Sequence, residues 1–290
     1  MHTVAGEAFR AAAVEHVDVG TAEIAFRRFG AGRPLLMIHG WPLSGFTWRH
    51  CVARLARERT CIVTDTPGAG DTRWRPDHAF DFRGQAEAYA RFVDALRLDE
   101  LDVIAHDTGA TIARELALIL GVRVRHLVLI DTEIPGHRPP WIPTFQRAAR
   151  LPGATAAFRM LLRSRAFRRS SLGFGGCFAN LDLLEGEFHD AFVQPLIDAR
   201  ERLAGQLRYL RGIDWRLVDS LATRHREIAA RVSLVWGAND PIFPVARARM
   251  MVEQFARCDG LTAIAGAKLL VHEENPDEVV DVALRALAAA

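Results

Sequence analysis

An α/β fold with a mostly parallel sheet is what this sequence predicts, and three observations predict it. Short continuous apolar runs recur along the chain, and they end in loops carrying His, Asp, Gly or Pro. A stretch of helical periodicity follows most of those loops. The alternation breaks only between about residues 134 and 221, where the chain turns Arg-rich and mainly helical, with no strong strand. Three segments result: a first part of the main α/β unit over 1–134, a helical insertion over 135–221, and the rest of the main unit over 222–290.

The elements follow in order. Glu15–Val19 and Glu23–Phe29 alternate as a strand pair around Gly20. Pro34–Ile38 reads as a strand buried on both faces and runs into the loop His39-Gly40-Trp41-Pro42. A helix is expected over about Thr47–Arg57, then a strand Cys61–Asp65 and a Gly-rich loop. A helix over Phe82–Leu96, a strand Leu101–Ala105, a helix Thr111–Leu120 and a strand His126–Ile130 complete the first part. Beyond the insertion come the strand Ser233–Gly237, a helix over Val245–Phe255, the strand Leu261–Ala265 and a final helix ending at Ala290.

Composition narrows the function classes. Lys plus Arg number 37 and Asp plus Glu 35, a net charge of +2 that argues against nucleic acid as partner. The cap-region arginines from Arg138 to Arg169 read as a solvated face. No apolar run approaches the roughly 20 residues of a membrane helix. The N-terminus lacks the basic start and apolar stretch of a signal peptide, so a cytoplasmic setting is expected. The 4 cysteines show no CxxC spacing, which disfavours a metal site or a disulfide framework. No metal or organic cofactor is implied.

The chemistry concentrates at one turn. Leu101–Ala105 runs into His106-Asp107-Thr108-Gly109 and directly into a helix. This is the context of a nucleophile elbow, with Ala105 in place of the first glycine of G-x-S-x-G and Asp107 in the serine position. Asp107 could instead cap the helix that follows. The loop after Pro34–Ile38 supplies the backbone N–H of Trp41, which with that of Thr108 could form an oxyanion hole. Asp240 ends a late strand in WGANDP, and His272 follows the last strand. The order nucleophile, acid, histidine is that of an α/β-hydrolase.

With these motifs (HGWP, DTPGAGDT, HDTG, WGANDP and the His272 segment) the sequence resembles the epoxide hydrolase and haloalkane dehalogenase branch of the α/β-hydrolase fold, from about Glu15 to Leu287. The resemblance implies an eight-stranded, mostly parallel sheet flanked by helices, with a helical cap. It implies Asp107 as nucleophile and His272 as base. Asp240 is the acid orienting that base, or else Asp131, at the end of His126–Ile130, with Glu133 nearby as a further partner. An aspartate is ionised near neutral pH and can displace a leaving group at saturated carbon, giving an ester that a His272-activated water hydrolyses. An epoxide hydrolase is expected; the alternatives are a haloalkane or haloacid dehalogenase, or a ligand-binding protein without turnover.

Two departures bear on the substrate. Thr108 stands where many haloalkane dehalogenases resemble HDWG, and Thr108 and Thr111 stand where fluoroacetate dehalogenases carry arginines. Tyr209 precedes Arg211 by two places, one earlier than the cap tyrosine of epoxide hydrolases. The substrate is expected to be a small molecule, held by His39, Phe46, His106, Trp141 and Tyr209, in a monomer or homodimer.

Overall fold

The protein is described by a computed structural model covering residues 3–288. Nine strands are found among the described residues: β1 (Glu15–Asp18), β2 (Ala22–Phe29), β3 (Arg33–Ile38), β4 (Arg59–Thr64), β5 (Arg73–Trp74), β6 (Leu101–His106), β7 (Val124–Ile130), β8 (Arg231–Gly237) and β9 (Cys258–Ile264). They form one sheet in the order β1-β2-β4-β3-β6-β7-β8-β9, with β5 beside β2. Pairing is antiparallel at the β1, β2, β4, β5 edge and parallel from β4 to β9. The sheet thus has one strand more than expected. The two residues of β5 are too few to show a period, and pairing to Ala22 and Glu23 alone makes them a strand.

Burial explains the parallel core. All six residues of β6 are buried, as are six of seven in β7 and in β8. Such strands need cover on both faces. The helices α1 (Val4–Ala11), α2 (Arg49–Leu55), α3 (Phe82–Ala95) and α4 (Thr108–Leu120) supply part of it, with Pro276–Ala288 near the C-terminus. The sequence reading assigned nothing at α1, whose Thr3 hydroxyl accepts from Gly6 N–H. The helix expected over Thr47–Arg57 opens as a 3₁₀ turn, Gly45–Trp48, before α2. That expected over Val245–Phe255 is a short helix, Val245–Ala248, and a 3₁₀ stretch, Arg249–Gln254. Residues 289 and 290 of the expected final helix lie outside the described residues.

The chain order reverses between β3 and β6. After β3 the next strand, β4, is laid on one side; β6, β7, β8 and β9 are then laid on the other. The carboxyl ends of β3 and β6 therefore flank the switch point, where open α/β sheets bind ligands. Between β7 and β8 the chain is helical, including Trp141–Ala148, Ala154–Arg163, Arg200–Gly212 and Trp215–Arg224. No helix among the described residues is long and apolar enough to cross a membrane.

Candidate active site

A cavity lies between that helical insertion and the carboxyl end of the sheet. Trp41, Asp107, Thr108, Glu133 and Leu269 line it from the sheet side, and Trp141, Phe145, Phe158, Cys177 and Gln206 are among those lining it from the insertion. Asp107 sits at the bend between β6 and α4 with φ 50° and ψ −131°. For a residue with a side chain this backbone costs roughly 1–3 kcal/mol and has to be held by its surroundings. The Asp107 N–H donates to Ile130 O and Asp131 O at 3.0 and 3.1 Å, and the Thr132 hydroxyl lies 2.9 Å from the Asp107 carbonyl.

Asp107 does not cap its helix; no side-chain capping bond is made there. Its Oδ2 instead accepts at 2.9 Å from the N–H of Trp41, in the loop after β3. Glycine is required in that loop: a Cβ on Gly40 would lie 2.4 Å from the Asp107 Cβ. Gly109 has a similar reason, since its Cβ would lie 2.3 Å from His39 O. Burial, and next the neighbouring Glu133, push the Asp107 carboxyl well above its ordinary value, while the Thr108 and Trp41 amides pull it down. Of the two amides expected to make an oxyanion hole, that of Trp41 donates to a carboxylate oxygen of Asp107.

The hydroxyl of Thr108 is a junction. It accepts from the Trp41 N–H at 2.9 Å and from the Tyr209 hydroxyl at 3.0 Å. Tyr209 is correspondingly buried behind Thr108 and does not line the cavity. Trp141 does line it, as expected, and its indole N–H makes no bond to the protein among the described residues.

Four other expectations are corrected. His39 packs beneath the loop, its Nδ1 on Gly40 O and its Nε2 accepting from Thr66 N–H at 2.9 Å, so it fastens two loops together. Phe46 is buried against Phe9 and Phe192 with Arg10 and Arg49 over its ring, away from the cavity. His106 points to the opposite side of β6 from Asp107, donating to Leu269 O at 2.9 Å. Burial holds its imidazole neutral, lowered to about 3.

The fourth correction matters most. His272 is fully buried, its ring 4.3 Å from that of His106 and 4.8 Å from that of Trp48. Its Nε2 lies 2.7 Å from the Thr47 hydroxyl, whose own proton goes to Glu273, so His272 is the donor. Nδ1 has no hydrogen-bond partner among the described residues, and burial pushes the ring well below its ordinary value. His272 touches neither Asp107 nor either acid and does not line the cavity. The loop after β9 turns its backbone so that Leu269 and Leu270 face the cavity, while the short helix Val271–Glu274 carries His272 into the core.

Asp131 and Asp240 are brought together, but around no imidazole. Both Asp131 oxygens lie 3.0 Å from the Gly237 N–H, and Asp240 Oδ1 accepts from Ile242 N–H at 2.7 Å. Burial raises both carboxyl groups, and the neighbouring Asp240 raises Asp131 further; Asp240 is pushed up to about 7, and its Oδ2 has no hydrogen-bond partner among the described residues. Neither lines the cavity.

Glu133 is the residue the sequence offered only as a neighbour of Asp131. Its Oε2 takes the Thr111 hydroxyl and lies 3.0 Å from that of Thr132, which leaves Oε1 without a protein partner among the described residues. Arg114 braces this corner from below, with Nη2 3.0 Å from the Thr132 hydroxyl and from Glu133 O. Cavity-lining Gln206 and Cys177 carried no motif, and only the folding of the insertion over the sheet could reveal them. No group of His, Cys, Asp or Glu able to hold a metal ion is found among the described residues.

The match to the alpha/beta hydrolase fold model extends over residues 33–276. The chain belongs to the α/β-hydrolase fold family, and is a hydrolase. It is 37% identical over 107 residues to a soluble epoxide hydrolase of Corynebacterium sp. strain C12, a stretch that is 37% of either chain. To human epoxide hydrolase 4 it is 24% identical over 275 residues, 86% of this chain and 70% of that one. The structure of the haloalkane dehalogenase DbeA from Bradyrhizobium elkani superposes with a TM-score of 0.78 at 22% identity, over 95% of this chain and 97% of that one. At that identity the likeness is one of fold.

Proposed function

We propose that this hydrolase works through a covalent ester on Asp107. The observation that carries the reading is the Asp107 carboxylate itself, raised on a strained bend, not spent on its helix, and facing an apolar cavity with one oxygen on the Trp41 N–H. The other oxygen attacks a saturated carbon; the C–O bond forms as the bond to the leaving group breaks. Water then attacks the ester carbonyl, whose oxygen stays on the Trp41 and Thr108 amides as negative charge develops.

The substrate class follows from the walls. Among the described residues no Lys, Arg or His side chain lines the cavity, and two carboxylates do. A neutral, apolar substrate fits; an anionic haloacid meets only repulsion. A neutral epoxide is favoured, because the opening oxygen finds protic groups in Thr108 and Glu133, and because relatives of this chain are named epoxide hydrolases. A neutral alkyl halide is the second reading, favoured by the free Trp141 indole N–H as a halide donor.

The test is a panel of neutral epoxides and alkyl halides, quenched and read as the mass of the Asp107 peptide. An adduct on Asp107, absent from Asp107→Asn, is the expected result. Product formed at the parent rate by Asp107→Asn would remove the covalent reading.

A further inference from the structure

A hydrolytic ester cycle needs a group to take a proton from water and return it to the departing oxygen, and among the described residues no imidazole lines the cavity. We propose that Glu133 is that group; the inference rests on the ester reading above. Glu133 lines the same cavity as Asp107 and is the strongest charged influence on it. The Thr132 hydroxyl touches both residues, 2.9 Å from Asp107 O and 3.0 Å from Glu133 Oε2, which fixes the two relative to each other. Oε2 is occupied by hydroxyl donors and Oε1 is not. The carboxylate is thus held by one oxygen, with the other free for proton transfer. It stands on the loop after β7, the strand beside β6.

The protons balance without any other participant. For an epoxide, Asp107 attacks a ring carbon, the ring C–O bond breaks, and its oxygen takes the proton of the Glu133 carboxyl. The Glu133 carboxylate next takes a proton from the water whose oxygen bonds to the Asp107 Cγ. When the ester C–O bond breaks, the alcohol oxygen receives that proton, and the acid proton left on Asp107 returns to Glu133. For an alkyl halide the halide departs with its electron pair and needs no proton, so Glu133 enters as the carboxylate and serves only the second half, and the proton left on Asp107 is released to solvent, matching the halide. That difference between substrates is specific to this residue.

Glu133→Gln keeps the shape and still accepts from Thr111 and Thr132. With a neutral primary alkyl bromide it should form the Asp107 ester within a few-fold of the parent rate and then stall. Turnover should fall by roughly 10²- to 10⁴-fold, the usual worth of general acid–base catalysis. With a terminal epoxide, ester formation should slow as well. In Glu133→Ala, added formate should restore ester breakdown, which a merely structural role would not allow. Ester cleared by Glu133→Gln at the parent rate, or no formate rescue, would overturn Glu133 while Asp107→Asn remained inactive. Turnover surviving in Asp107→Asn would instead remove the ester reading beneath it.

Discussion

Two pairs of carboxyl groups lie at the carboxyl ends of β6, β7 and β8, and they are housed in opposite ways. Asp131 and Asp240 do not line the cavity and are bonded to backbone amides. Asp107 and Glu133 line the cavity, each with one oxygen held by protein donors and the other without a protein hydrogen bond among the described residues. Both pairs are buried, so burial alone does not make chemistry. Access to the cavity separates the two.

The largest effect expected from this comparison is on turnover. Asp107→Asn should lower it by on the order of 10⁴-fold or more, as loss of a nucleophile does elsewhere, while leaving the melting temperature near the parent value. With an alkyl halide, whose departure needs no proton, the ester-forming rate should also rise with pH. Asp107 is raised above its ordinary value, so it is protonated and idle at low pH and gains its carboxylate as pH climbs through the raised value. Single-turnover rates against pH check the sign; a rate that fell with rising pH would break the assignment.

A third acidic cluster shows what a cation does. Arg49 lies between Glu187 and Glu273 at 2.8 Å from each, and Glu187 also takes the Thr3 N–H and hydroxyl, joining α1, the insertion and the loop after β9. Arg49→Ala strands two buried carboxylates and should destabilise the fold by about 3–5 kcal/mol, read by denaturant unfolding. The Asp131 and Asp240 pair answers to pH instead. Asp240 holds its proton to about 7 in the fold but to only roughly 4 when unfolded, so the folded chain binds more protons in between. Its stabilising share is complete below about pH 4 and is lost as pH rises to about 7. Asp240→Asn should therefore gain on the parent across that window; a constant difference would show that the fold does not raise Asp240.

The smallest effect is expected at His272. His272→Gln should cost about 1 kcal/mol through the Thr47 bond, with no selective slowing of ester breakdown. That outcome would sharpen the contrast with Glu133.

What the sequence made legible and what it hid divide along physical lines. β6, its turn and α4 were readable because a fully buried strand must be continuously apolar and the bend after it tolerates only small neighbours, as Gly40 and Gly109 show. Trp41 and Thr108 followed from that bend, since backbone amides need no particular side chain. His272 misled because which side of a one-turn helix faces the cavity depends on how the loop after β9 turns, and Val271–Glu274 is too short to carry a period. Tyr209 misled in a related way: its spacing put it near the site, but packing directs its hydroxyl to Thr108 and not into the cavity. Glu133 was hidden by its neighbour, because two acidic residues two places apart at a strand end cannot be told apart until the strand's facing is known.

The most direct measurement is the mass of the Asp107 peptide from the parent protein, quenched during turnover of a neutral epoxide. A carboxylate is a weaker base than an imidazole, so ester breakdown limits the cycle and the adduct should stand on Asp107 in the unmutated chain. Steady product release with Asp107 unmodified at every quench time, and with Asp107→Asn equally active, would contradict the account.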